Sequence, residues 1–263
     1  MKFERSTFLS LFASVALPVL AIACGGAGED TSGGASDLSL NDGGTATDAA
    51  ATGAVTVTSK IMKVPTGKCT IDVTAPVVSI PSDKATEKAI NAILAPLGTA
   101  SCDDGSGDIE STYSVTANGN GILSILVTGS SYFEGAAHPN NGAQGYNFDL
   151  KHGGKNLVLA DVVTPAGMQA QVKACLSQAP SAEDGGTAPS HSLDADACKS
   201  AVTSQPQYQI VPGWTVSPEG IALISETDHA DGDYFQSTIA WGSLDASDLV
   251  AGTTLAAYAK AHQ

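Results

Sequence analysis

Three groups of residues in this chain carry side chains able to do chemistry: a cysteine behind an apolar leader, an acidic segment around a histidine, and a histidine among small residues. Cys24 follows Leu20-Ala21-Ile22-Ala23, where a thiol behind small residues can be acylated. Asp228-His229-Ala230-Asp231-Gly232-Asp233 sets three carboxylates and an imidazole within six residues, directly before Tyr234. Oxygen-seeking Ca²⁺ could use such a segment, but Ala230 stands where a ligating loop needs a donor. The segment is therefore read as a solvated hairpin turn that binds no metal. Asp228, His229, Asp231, Asp233 and Tyr234 are the first candidates for contact with a basic protein. Phe235 and Trp241 could add aromatic anchors.

His138 lies in Gly135-Ala136-Ala137-His138-Pro139-Asn140 and is a candidate binding residue. Its ring could act as a base beside Asp149 or Asp161, or could fasten the loop backbone by hydrogen bonds. Ser130 or Ser131 would complete a serine, histidine and aspartate set, but no GxSxG nucleophile elbow is present. No catalytic residue and no cofactor are expected. Convergence of His138 with a carboxylate and a serine in a cleft would favour an enzyme, and a His138 that stitches its own loop would favour binding.

Cys24 gains its meaning from its flanks. Lys2, Glu4 and Arg5 precede the apolar run Phe8 to Leu20, which is short and interrupted by Pro18 and so suits a signal peptide rather than a spanning helix. Residues 24 to 54 are rich in Gly, Ser, Asp and Thr and hold Leu38 and Leu40 as their large aliphatic residues. Too little apolar surface is present to offset the entropy of ordering them, so they are expected to form a tether with a root-mean-square span of about 30 Å. Leu20 to Cys24 resembles the lipobox of bacterial lipoproteins, in which the cysteine is acylated and becomes the mature N-terminus. Several acyl chains anchor firmly where one binds only marginally. The expected organisation is a lipoprotein signal peptide over 1–23, a tether over 24–54 and one domain over 55–263.

The formal net charge of −15 argues against nucleic acid and anionic lipid as partners, and permits attraction to basic proteins. Beyond Cys24 the chain has Cys69, Cys102, Cys175 and Cys198. In an oxidising compartment an even set reads as two disulfides. Of the three connectivities, Cys69 with Cys102 and Cys175 with Cys198 close the shortest loops. No CxxC or HxxxH spacing supports zinc instead.

The elements follow from periodicity. Val55 to Thr58 and Ile71 to Ile80 alternate as half-buried strands. Ser82 is expected to cap a helix with an apolar face of Ala89, Ile90, Ile93, Leu94 and Leu97, which Pro96 should end or kink. Ile109 to Thr116 and Ile122 to Tyr132 flank the hairpin turn Asn118-Gly119-Asn120-Gly121. A strand at Gly145 to Leu150 precedes a turn at His152 to Lys155, and Thr164-Pro165 opens a helix through Met168, Val172, Cys175 and Leu176. Residues 179–192 read as a loop. Further strands are expected at Tyr208 to Val211, Trp214 to Ser217, Ile221 to Ser225 and Phe235 to Trp241. The predicted class is α+β, a mainly antiparallel sheet packed against two or three helices and stapled by two disulfides.

Tyr132-Phe133-Glu134-Gly135-Ala136-Ala137-His138, Tyr146-Asn147-Phe148-Asp149-Leu150, Gly154-Lys155 and Leu157 to Val163 occur in an order that resembles RsiV-like extracytoplasmic domains. Trp214 to Ile221 and Phe235 to Leu244 resemble that family's closing strands. The resemblance runs from about Val55 to Leu244. It implies a binding or sensing domain without catalysis, with a lysozyme-like protein or a peptidoglycan-related ligand as partner. The expectation is thus a lipid-anchored envelope protein facing the periplasm or the exterior. The alternative is an envelope hydrolase or deacetylase-like enzyme using His138 and a nearby carboxylate.

Overall fold

The computed structural model describes residues 55–66, 69–100, 106–178, 213–226 and 233–263. Its centre is a six-stranded sheet in the order β1 to β6, made of β1 (Thr56–Thr66), β2 (Cys69–Ser79), β3 (Gly107–Gly119), β4 (Ile122–Phe133), β5 (Asn140–Asp149) and β6 (Lys155–Asn156). A three-stranded sheet follows, β7 (Trp214–Val216), β8 (Gly220–Glu226) and β9 (Tyr234–Ala240). The α+β class expected from the sequence is the observed one, and every neighbouring pair is antiparallel except β2 with β3.

That parallel pair requires a crossover, because a strand cannot re-enter beside its predecessor in the same direction through a tight turn. The crossover contains α1 (Lys84–Leu94) and a short 3₁₀ turn, Ala95–Gly98. The helix is capped by Asp83 rather than by Ser82: Thr86 donates to the Asp83 carboxylate from its backbone N–H at 3.0 Å and its hydroxyl at 2.6 Å. A carboxylate has two oxygens for both donors, and its charge suits the positive end of the helix. The buried face is Thr86, Ile90 and Leu94, with Leu97 beyond it, whereas Ala89 and Ile93 point to solvent.

This face packs on Leu123, Ile125 and Val127 of β4 and on Tyr146 and Phe148 of β5. Burial pushes the Tyr146 phenol up to about 12. The expected hairpin joins β3 to β4 through Asn120 and Gly121, both at positive φ, the combination that matches the twist of two-residue hairpins.

The second core lies between the two sheets. Ile122 meets Trp214, Val216, Ile221, Leu223, Ile239 and Trp241 there, with α2 (Leu159–Val162), α3 (Pro165–Gln178) and a terminal helix α4 (Thr254–His262) around them. The sequence pattern did not reveal α4, because alanine fills most of its turns and its buried residues are Thr254, Leu255, Tyr258 and Ala259. Trp241, read as a candidate anchor, is 1% exposed and donates its indole N–H to the Ser217 carbonyl, so it belongs to this core.

Buried polar bonds fix the small sheet on the large one. The Ser124 hydroxyl donates to Asn147 Oδ1 at 2.7 Å and accepts from the Thr116 hydroxyl at 2.8 Å and the Val216 N–H at 2.9 Å. Asn147 Nδ2 donates to the Trp214 carbonyl at 2.7 Å. The free edge of β7 therefore finds side chains of β4 and β5 as partners. Gly145 permits the approach, since a Cβ there would collide with the Trp214 carbonyl.

Candidate functional site

The small sheet covers one end of the large one and leaves the other open. Along β5 the covered Asn147 and the uncovered Asn141 are separated by six residues, about 20 Å of strand. Over the open end lies a cleft of about 740 Å³, lined by Asp72 and Thr74 of β2, Glu110, Ser111 and Thr112 of β3, and Thr128, Gly129 and Ser130 of β4. Asn141 of β5 and Tyr234, the first residue of β9, complete it.

Strand register explains why these side chains converge. Lys63 is opposite Asp72, Asp72 opposite Glu110, Glu110 opposite Ser130, and Ser130 opposite Asn141. One row thus crosses five strands on one face of the pleat, with neighbours about 5 Å apart. Thr112 opposite Thr128 adds a parallel row of hydroxyls. The other face of the same strands is apolar at Ile71, Val73 and Ile109, which form a third cluster with Cys69.

The ends of the row are engaged. Lys63 Nζ lies 2.8 Å from Asp72 Oδ2, on exposed side chains. At the other end Asp233 Oδ2 accepts from the Asn141 N–H at 2.6 Å and from Asn141 Nδ2 at 2.9 Å. Asp233 holds φ at +74°, a conformation that aspartate tolerates better than most residues and that turns the chain into β9. Glu110, in the middle, is exposed and has no ion pair among the described residues. Lysine, arginine and histidine are absent from the lining, so the cleft presents carboxylates, hydroxyls, an amide and a phenol.

The sequence-predicted residues are distributed differently. Asp233 and Tyr234 reach the cleft and its rim, while Asp228, His229 and Asp231 lie outside the described residues, as does Cys24. His138 is in the exposed β4–β5 loop with Nδ1 3.2 Å from the Pro139 carbonyl. The two carboxylates considered as its partners are engaged elsewhere: Asp149 accepts from the Lys151 N–H and sits 2.7 Å from His152, and Asp161 pairs with Lys155 at 2.8 Å. Ser130 lines the cleft, but Ser131 is buried on the opposite side of the pleat.

Cys69 is buried, in the apolar cluster with Ile71, Val73 and Ile109. Cys102, Cys198 and the side chain of Cys175 lie outside the described residues, and the two expected pairings with them. Among the described residues no three His, Cys, Asp or Glu side chains are grouped to hold a metal ion, and no helix is long and apolar enough to cross a membrane.

Sequence reasoning missed Asp72, Thr74, Glu110, Thr112, Thr128 and Asn141. Asp72, Thr74, Glu110 and Thr112 occupy the polar positions of alternating strands and so read as ordinary solvent-facing surface, while Asn141 lies in Asn140 to Gly145, where no alternation marks a strand. The available signal was the coincidence of Ile71-Asp72-Val73-Thr74 with Ile109-Glu110-Ser111-Thr112, two segments with carboxylate and threonine on the same phase.

No family model and no curated protein matches the chain. Among solved structures it is similar to a DUF3298 family protein from Pseudomonas aeruginosa PAO1, at 15% identity over 75% of this chain and 94% of that one, with a TM-score of 0.43. It is also similar to a member of the DUF3298 family from Bacteroides fragilis NCTC 9343, at 17% identity over 80% of this chain and 99% of that one, with a TM-score of 0.48.

Proposed function

We propose that this protein is an envelope lipoprotein, held to a bacterial membrane through acylated Cys24, whose RsiV-like domain is a non-catalytic module that captures a basic protein of lysozyme-like character. The observation that carries this reading is the open cleft at the uncovered end of the large sheet, where Asp72 and Glu110 face solvent and no basic side chain contributes to the lining. The whole chain is acidic as well, at −15, so long-range attraction and the local lining favour the same sign of partner.

Calorimetric titration of the full-length chain with a basic lysozyme tests the reading. Binding at low ionic strength that weakens at moderate ionic strength is expected, because exposed charges are screened over about 10 Å at 0.1 M salt. Absence of binding at both would refute the lysozyme-like partner. Binding of peptidoglycan fragments in its place would reassign the module to glycan capture. The anchor has a separate test: Cys24→Ser should move the protein from the membrane fraction to the soluble fraction, and a variant that stays with the membrane refutes acylation.

A further inference from the structure

We infer that the cleft is built to receive a guanidinium group, with Glu110 as its anchoring carboxylate and Lys63 as an internal competitor that holds Asp72 until a partner arrives. The inference rests on the reading of the module as a binder of basic protein and specifies the chemistry of capture.

Strand register places Lys63, Asp72, Glu110, Ser130 and Asn141 side by side in one row. Asp72 is neutralised by Lys63 on one flank and Asp233 is bonded by Asn141 on the other. Glu110 is left between them, exposed and with no ion pair among the described residues. Its neighbours in the cleft, Thr112, Thr128 and Ser130, bring hydroxyl oxygens that can accept hydrogen bonds. Tyr234 supplies an aromatic ring at the wall. A planar cation with five N–H donors matches carboxylate, hydroxyl and ring together, whereas an ammonium ion is a compact, strongly hydrated point charge. Anions are excluded by the same lining.

Lys63 sets the threshold. Its side chain is 65% exposed and that of Asp72 is 44% exposed, so their pair is screened by water and easily exchanged. An incoming cation that settles on Glu110 can then share Asp72 once Lys63 swings away. Removing Lys63 should therefore strengthen capture, an outcome that a merely structural role for this ion pair would not produce.

The test is titration of the full-length chain with an arginine-rich peptide, a lysine peptide of equal charge, a glutamate peptide and a neutral N-acetylglucosamine oligomer at low salt. The arginine peptide should bind several-fold more tightly than the lysine peptide, and the glutamate peptide not at all. Glu110→Gln should weaken arginine-peptide binding about tenfold, and Lys63→Met should tighten it about threefold. Both positions are exposed, and an unchanged melting temperature in each variant certifies that the fold is intact. Equal affinity of wild type and Glu110→Gln overturns the inference, as does preferential binding of the neutral oligomer. If the arginine peptide binds as described while lysozyme does not, the guanidinium site stands and the lysozyme-like partner falls. If lysozyme binds equally to wild type and Glu110→Gln, the partner stands and this site falls.

Discussion

Ser124 illustrates how one hydroxyl can hold two layers together. It donates to Asn147 and accepts from Thr116 and from the Val216 N–H, so its loss strands two polar groups, Asn147 Oδ1 and the Val216 N–H, in a dry interface. Ser124→Ala is expected to destabilise the protein by about 2 kcal/mol, because buried groups left without partners forfeit their solvation. Urea denaturation of the variant checks this, and a change of a few tenths of a kcal/mol would show that water replaces the hydroxyl. Tyr146 makes a different prediction. Its phenol is pushed up to about 12 by burial against an ordinary 10, so the folded state holds a proton that the unfolded chain releases first. The stability this contributes is complete below pH 10 and is lost as the pH rises towards 12. In Tyr146→Phe the melting temperature should fall less steeply over that alkaline window.

Among the elements, the docking of β7 on β5 decides where the cleft can exist. Gly145→Ala places a methyl group against the Trp214 carbonyl, whereas a Cβ at Gly142 meets nothing within 4 Å. The first substitution should cost several kcal/mol and displace the small sheet, and the second should be close to neutral. Parallel thermal melts of the pair compare the two directly. Helix α4 depends on its cap, since Thr253 Oγ1 accepts the Ala256 N–H, and Thr253→Ala should cost about 1 kcal/mol by chemical denaturation. Elements were legible in the sequence to the degree that their pattern was local. The β3–β4 hairpin is announced by Asn118 to Gly121, and α3 by Thr164-Pro165, whose threonine accepts the Gly167 N–H. The α4 helix was not legible, because alanine has high helix propensity but leaves no sharp apolar stripe.

For the molecule as a whole, the acid response follows from three carboxylates, Asp83 and Glu219 exposed and Glu87 half-buried. The Thr86 hydroxyl bond lowers Asp83, the Lys84 bond lowers Glu87, and the Ser217 hydroxyl bond lowers Glu219. Depressed folded values mean that their contribution is present above the ordinary carboxylate range and disappears as the pH falls through the lowered ones. Glu87 also accepts the Ile80 N–H and so ties α1 to the end of β2, which makes Glu87→Gln the variant expected to flatten the acid limb of a melting-temperature profile. By itself the sequence determined the acidic charge, the α+β class and the alternation that makes β2 and β3 polar on one side. Those properties are local or compositional, so reading them required no partner residue. Only the tertiary structure decided that Asp72, Glu110, Ser130 and Asn141 form one row and that Tyr234 closes over it. Strand register carries residues 72 and 141 to the same cleft, and register is set by long-range pairing and by a second sheet that covers only half of the first.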